Sequence, residues 1–62
     1  MKTENFDYLI GKSVKGLKKP KGYTVRVVKE DGVWYMVTMD FRTDRINVIV
    51  ENGIITEIDG IG

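Results

Sequence analysis

The sequence predicts an α+β domain, one short helix packed on a small mixed or antiparallel β-sheet with a protruding loop, with residues 1–62 forming a single domain. Three observations lead to this. Ser13, a good helix N-cap, precedes Val14 and Leu17, an apolar pair at helical spacing. The stretches from Tyr23 to Val27 and from Ile46 to Val50 alternate apolar and polar residues with the period of two that a half-buried strand requires. Two turn signals, "KEDG" at 29–32 and "ENG" at 51–53, separate runs rich in β-branched and aromatic residues.

Along the chain, Phe6, Tyr8, Leu9 and Ile10 are the anchors of an N-terminal arm. The helix that Ser13 caps is held to one or two turns, because Gly16 weakens it and Pro20 ends it. Tyr23, Val25 and Val27 then alternate with Thr24 and Arg26, and Val33 to Val37 forms a further strand after the first turn. Ile46, Val48 and Val50 alternate with Arg45 and Asn47 before the Asn-Gly hairpin leads into Ile54 to Ile58. A single helix on one face of the sheet gives two layers. The predicted core is Leu9, Ile10, Val14, Leu17, Val25, Val27, Ile46, Val48, Val50 and Ile58.

Composition narrows the function. A chain of 62 residues buries only about 60% of the surface its unfolded form exposes, so few residues remain to wall off a water-excluding catalytic site. There is no cysteine and no histidine, which removes disulfides, thiolate nucleophiles, the usual zinc ligands and the commonest general base. Neither an enzyme, nor a cofactor, nor a metal is expected.

Ten basic and nine acidic side chains leave a net charge of +1, which argues against a nucleic-acid partner. Lys12, Lys15, Lys18, Lys19 and Lys21 lie close together without an acid, but no aromatic residue stands among them to stack a base. They read as a solvated face rather than an anionic-surface patch. The "GKS" at 11–13 lacks the first glycine and preceding strand of a phosphate loop. Met1 is followed by Lys2, Thr3, Glu4 and Asn5 with no apolar leader core. The expectation is an intracellular, cytoplasmic monomer without a membrane partner.

The stretch "MVTMDFRTDRINV", 36–48, sets Met39 between two side-chain acceptors, Thr38 and Asp40, with Arg42 and Arg45 shortly after. Periodicity allows "VWYMVTMDF" to be one long strand of a meander, with Met39 in the core beside Tyr35 and Val37 and with Trp34 and Met36 outward. On pattern alone the strand is the favoured reading; the alternative is a loop that presents Met39 to a partner.

The residues "VTMDFRTDR", 37–45, with "LIGKSV", 9–14, resemble the potato type I serine protease inhibitors, whose pattern carries "VTMEYRIDR" and "LVGKSV". The continuation "DRINV" and the "NG" hairpin are also similar to the bacterial and fungal elastase-inhibitor-like family, whose pattern reads roughly "VTMDYRPDRLNV". The resemblance implies a convex loop that enters the cleft of a subtilisin- or chymotrypsin-like serine protease as a substrate would, with a bond cut slowly and readily resealed. By position Met39 precedes that bond and sets specificity, and Asp40 follows it. Val37, Thr38, Phe41 and Arg42 are the implied loop contacts, and Arg45, Asn47 and Gly62 the implied loop support.

The chain also departs from these patterns. Asn47 stands where the plant family has a second supporting arginine, the helix is shorter, "KEDGVWYM" precedes the loop, and the cysteines of the bacterial and fungal branch are missing. A second class of function is a protein–protein interaction module without inhibitory activity, using Trp34, Met36 and Phe41 as its contact patch.

Overall fold

Runs of valine and isoleucine build the long strands. In the computed structural model, which describes residues 6–62, these are β1 (Thr24–Glu30), β3 (Arg45–Glu51) and β4 (Ile54–Ile61), with a two-residue β2 (Val33–Trp34). They form one mixed sheet in the order β2-β1-β3-β4. Residues 1–5, which carried the reading of a missing leader, lie outside the described residues.

Two antiparallel hairpins use two-residue turns whose central residues all have positive φ: Asp31 (51°) and Gly32 (83°), then Asn52 (53°) and Gly53 (77°). This is the turn conformation that matches strand twist, and Asp-Gly and Asn-Gly adopt it most readily. The Asn52 N–H donates to the Asp31 carboxylate at 2.8 Å, tying the two tips together.

Between the hairpins, β1 and β3 pair in parallel, with Val25 opposite Ile46, Arg26 opposite Asn47 and Val27 opposite Val48. A tight turn cannot join parallel strands, so the chain has to travel back along the sheet before β3 can begin. Residues 31–44 make that return. Val33 and Trp34 pair with β1 on the way, Tyr35 N–H still donates to Val28 O (2.9 Å), and residues 35–44 belong to no strand.

Alternate residues of β3 serve opposite faces. Ile46, Val48 and Val50 join Phe6, Leu9 and Ile55 in the buried core, bordered by Val14, Leu17, Tyr23, Val25, Val27 and Ile58. The Phe6 ring meets Tyr23 edge-on, with centroids 4.9 Å apart. Leu9 enters the core from a single 3₁₀ turn, Asp7–Leu9. The chain beyond it lies along the start of β4: Gly11 N–H donates to Ile55 O (2.7 Å), Ile55 N–H to Lys12 O (2.9 Å), and Val14 N–H to Gly53 O (2.9 Å).

These bonds overturn the α+β expectation. The fold is nearly all β, with no helix among the described residues beyond the 3₁₀ turn. Ser13 bridges to Ile54 instead of opening a helix. Its hydroxyl does accept the Lys15 N–H (3.3 Å), but this closes a local turn, and Gly16 at φ 74° takes the chain out of helical conformation. A capping signal and a serine turn use the same hydrogen bond, and pairing with β4 decides between them here.

Three smaller expectations change as well. Ile10 is 44% exposed and lies outside the core, where Phe6 and Ile55 stand in addition to the predicted positions. The strand expected over 33–37 ends at Trp34. The long-strand meander is absent, and Met39 is in solvent rather than in the core.

Truncating Leu9 to Ala should lower the unfolding free energy by about 2–5 kcal/mol, as for a buried leucine. Ile10→Ala should cost about 0.5 kcal/mol, as for a surface change. Urea denaturation with an unchanged slope measures both, and equal losses would contradict this docking of the N-terminal arm.

Candidate functional site

The return segment between β2 and β3 places a row of apolar side chains in water. Trp34, Val37, Met39 and Phe41 are exposed, Met39 at 98%, and Met36 is wholly so. Large apolar side chains exposed so close together in the chain make this segment a candidate interaction site. The segment is nevertheless anchored by a polar network around Met39.

Thr38 donates its hydroxyl hydrogen to the Asp40 carboxylate across Met39. Arg45, at the start of β3, reaches the segment from below: Nη2 donates to the Asp40 main-chain oxygen at 2.7 Å, and Nη1 to the carboxylate at 3.5 Å. The same guanidinium donates through Nε (3.2 Å) and Nη2 (2.7 Å) to the Gly62 main-chain oxygen. That oxygen also accepts the Arg42 N–H at 3.1 Å, and the Gly62 N–H returns a bond to the Arg45 carbonyl at 3.0 Å. Arg45 therefore fastens the segment to the residue that follows β4. Its side chain is only 13% exposed, which limits competition from water.

Gly62 sits where a side chain would crowd the site. A Cβ there would lie 3.2 Å from Asn47 Nδ2 and 3.7 Å from the Phe41 ring. Further along, Arg42 forks onto Asp44 with Nε and Nη2 at 3.0 and 3.1 Å. On the other flank, Tyr35 donates its hydroxyl to the Glu30 carboxylate, and Lys29 Nζ stands 4.8 Å from the centre of the Trp34 ring.

Asn47, which the resemblance implied as loop support, is buried, and its side-chain oxygen accepts Nε of Arg26 at 3.0 Å. Arg26 then extends Nη1 to the Thr38 hydroxyl at 3.4 Å. Sequence reasoning missed Arg26. It reads as one more polar residue alternating with Val25 and Val27, and only the parallel register, which sets Arg26 opposite Asn47, brings it under the segment.

Electrostatics follow this geometry. Hydrogen bonding from Thr38, then the Asp40 backbone N–H and the nearby Arg45 charge, lowers the Asp40 pKa below its ordinary value. Arg42 likewise lowers that of Asp44 and has its own raised in turn. The Tyr35 hydroxyl is held above its usual pKa by its bond to Glu30. Chemically, the arrangement ties back the residues on either side of Met39, so that less main-chain freedom remains to be lost on docking, and leaves the Met39 side chain in solvent.

Residues 6–60 match the peptidase inhibitor I78 family. No curated protein and no solved structure matches the chain. The family match supports protease inhibition, with a protease as the partner it implies. It does not reach the potato type I assignment.

Because its folded pKa is depressed, the Asp40 carboxylate contributes stability that is fully present above its unfolded pKa, near 3.8, and lost as pH falls through the lower folded value. A carboxyl NMR titration should place the Asp40 midpoint below 3.8. Thr38→Ala should raise it, since Thr38 is the largest cause. A midpoint at or above the ordinary value in the parent would show that the Thr38 and Arg45 contacts do not form in solution.

Proposed function

We propose that this chain, which belongs to the peptidase inhibitor I78 family, is a substrate-like inhibitor of a subtilisin- or chymotrypsin-like serine protease that it engages through the segment around Met39 and Asp40. The observation that carries this reading is a fully exposed methionine whose two flanking residues are tied back by arginines from the sheet. Met39 fills the primary specificity pocket, to which an unbranched, polarizable side chain adapts well. Val37, Thr38, Phe41 and Arg42 contact the walls of the cleft. Arg45 and Gly62 keep the Asp40 side in place, so that the Met39–Asp40 bond is cut slowly and resealed.

Family membership supports a non-catalytic role, and the likeness of residues 37–45 to the potato type I loop supports the choice of bond. The exposed Trp34, Met36 and Phe41 favour a second reading, an interaction module without inhibitory activity. The two separate in one experiment. An inhibitor abolishes the activity of an equimolar protease and survives the encounter, whereas a binding module is degraded or ignored.

Titration against a panel of serine proteases should give stoichiometric loss of subtilisin- or chymotrypsin-type activity. Met39→Lys should weaken inhibition of subtilisin at least about tenfold, the lower end of what a mismatched specificity group costs. It should also gain against trypsin. Unchanged inhibition by the variant throughout the panel would remove Met39 from the contact.

A further inference from the structure

We infer that the two sides of the Met39–Asp40 bond are held by different strands, the acyl side by Arg26 of β1 through Thr38 and the amine side by Arg45 of β3 through Asp40, with Asn47 as the residue that aims Arg26. The inference rests on the reading of this bond as the one a protease attacks. It assigns Arg26 a positioning role that its place in the sequence does not indicate, and makes Asn47 the acceptor through which that role is exercised.

The geometry is asymmetric across the bond. Arg45 contacts the Asp40 main-chain oxygen and carboxylate, both after the bond. Arg26 contacts Thr38, which precedes it. The Thr38 hydroxyl has one hydrogen, spent on Asp40, so its lone pairs are free to accept from Arg26. While the bond is intact, Arg26, Thr38, Asp40 and Arg45 form a continuous network over it. Arg26 is directed by its second bond: with Nε on the Asn47 oxygen, the planar guanidinium has a fixed orientation and Nη1 points to the loop. Asn47 thus stands in the strand beneath as a neutral acceptor, and the charge that a second arginine on β3 would supply comes from β1 instead.

Cutting the bond shows why both holds matter. The protease serine oxygen bonds to the Met39 carbonyl carbon, the Met39–Asp40 C–N bond breaks, and the Asp40 nitrogen leaves as an amine after taking a proton from the protease's general acid. Resealing reverses each change: the amine attacks the ester carbon, gives up a proton to that same group, now a base, and expels the serine oxygen, which is reprotonated. Water competes for the ester. The amine wins only while both ends stay within reach, which is an effective-concentration problem. The halves of the chain remain paired through β1 and β3, whose axes are about 4.8 Å apart, and each arginine prevents its own end from swinging away.

The test uses the whole protein. Intact and cleaved samples are each incubated with catalytic subtilisin until the ratio of intact to cleaved chain is constant, and relaxation of ¹⁵N is measured on the free protein. Arg26→Ala should lower the ratio about tenfold, the loss of one charge-assisted bond. It should also raise fast motion at Val37 and Thr38 more than at Asp40 and Phe41, and Arg45→Ala should do the reverse. Asn47→Ala, which removes the acceptor that aims Arg26 and leaves the Thr38–Asp40 bond in place, should reproduce the acyl-side loosening if Arg26→Ala fails to fold. The exchange Arg26→Asn with Asn47→Arg should restore the ratio, since the two positions are register partners on one face. A parent that inhibits while Arg26→Ala keeps its ratio, or motion that rises equally on both sides, overturns the inference and leaves the inhibitor reading standing. A parent that is cut elsewhere overturns both.

Discussion

The parallel pairing of β1 with β3 is the constraint on which the rest of the molecule depends. Antiparallel neighbours could have been joined by another two-residue turn, and the chain would then have had no segment to spare. Parallel neighbours oblige the polypeptide to return along the sheet, and residues 31–44 are that return, 35–44 of them outside any strand. The same register sets Arg26 opposite Asn47 and Thr24 opposite Arg45, which places both loop-holding guanidinium groups at one end of the sheet. At the other end, the bond from Asn52 to Asp31 fixes the hairpin tips against one another.

β3 is the central economy of so short a chain. Its even positions, Ile46, Val48 and Val50, supply half of the buried core cluster, and its odd positions, Arg45 and Asn47, organise the exposed segment. A strand can serve two purposes because successive side chains point to opposite faces. The loop network is built outside the apolar cluster, so the contacts that shape the segment are separable from those that hold the fold. Without disulfides, that core and the sheet hydrogen bonds carry the stability of the domain.

The exposed row from Trp34 to Phe41 looks unfavourable when judged by burial alone, since apolar side chains gain nothing from water. Its polar surroundings give it sense. Hydrogen bonds from Arg26, Arg45 and Thr38 restrict the backbone on both sides of Met39 before any partner arrives. On the reading proposed above, a protease would meet a main chain already ordered by these bonds. Gly62 contributes through its main chain, as a single oxygen that gathers Arg42 and Arg45 beneath the segment.

The local chemistry was legible in the chain: the strand periods around Val25 and Val48 and the Asn-Gly hairpin depend on residues near one another, where alternation and turn preference act directly. The choice of Met39, Asp40 and Arg45 as a candidate site rested instead on the likeness of residues 37–45 to a known inhibitor loop. The helix expected after Ser13 failed for a related reason, because the local signal was real but two conformations satisfy it, and the long-range bonds to β4 selected the turn. Periodicity alone favoured Met39 in the core, and the crossover, which stops the strand at Trp34, leaves it in solvent. Long-range pairing decided that β1 and β3 run parallel, that Asn47 accepts from Arg26, and that Arg26 lies under the segment at all. The first two are contacts between strands some twenty positions apart in the chain, and the third follows from them; their register is settled by the packing of the whole sheet rather than by any short stretch within it.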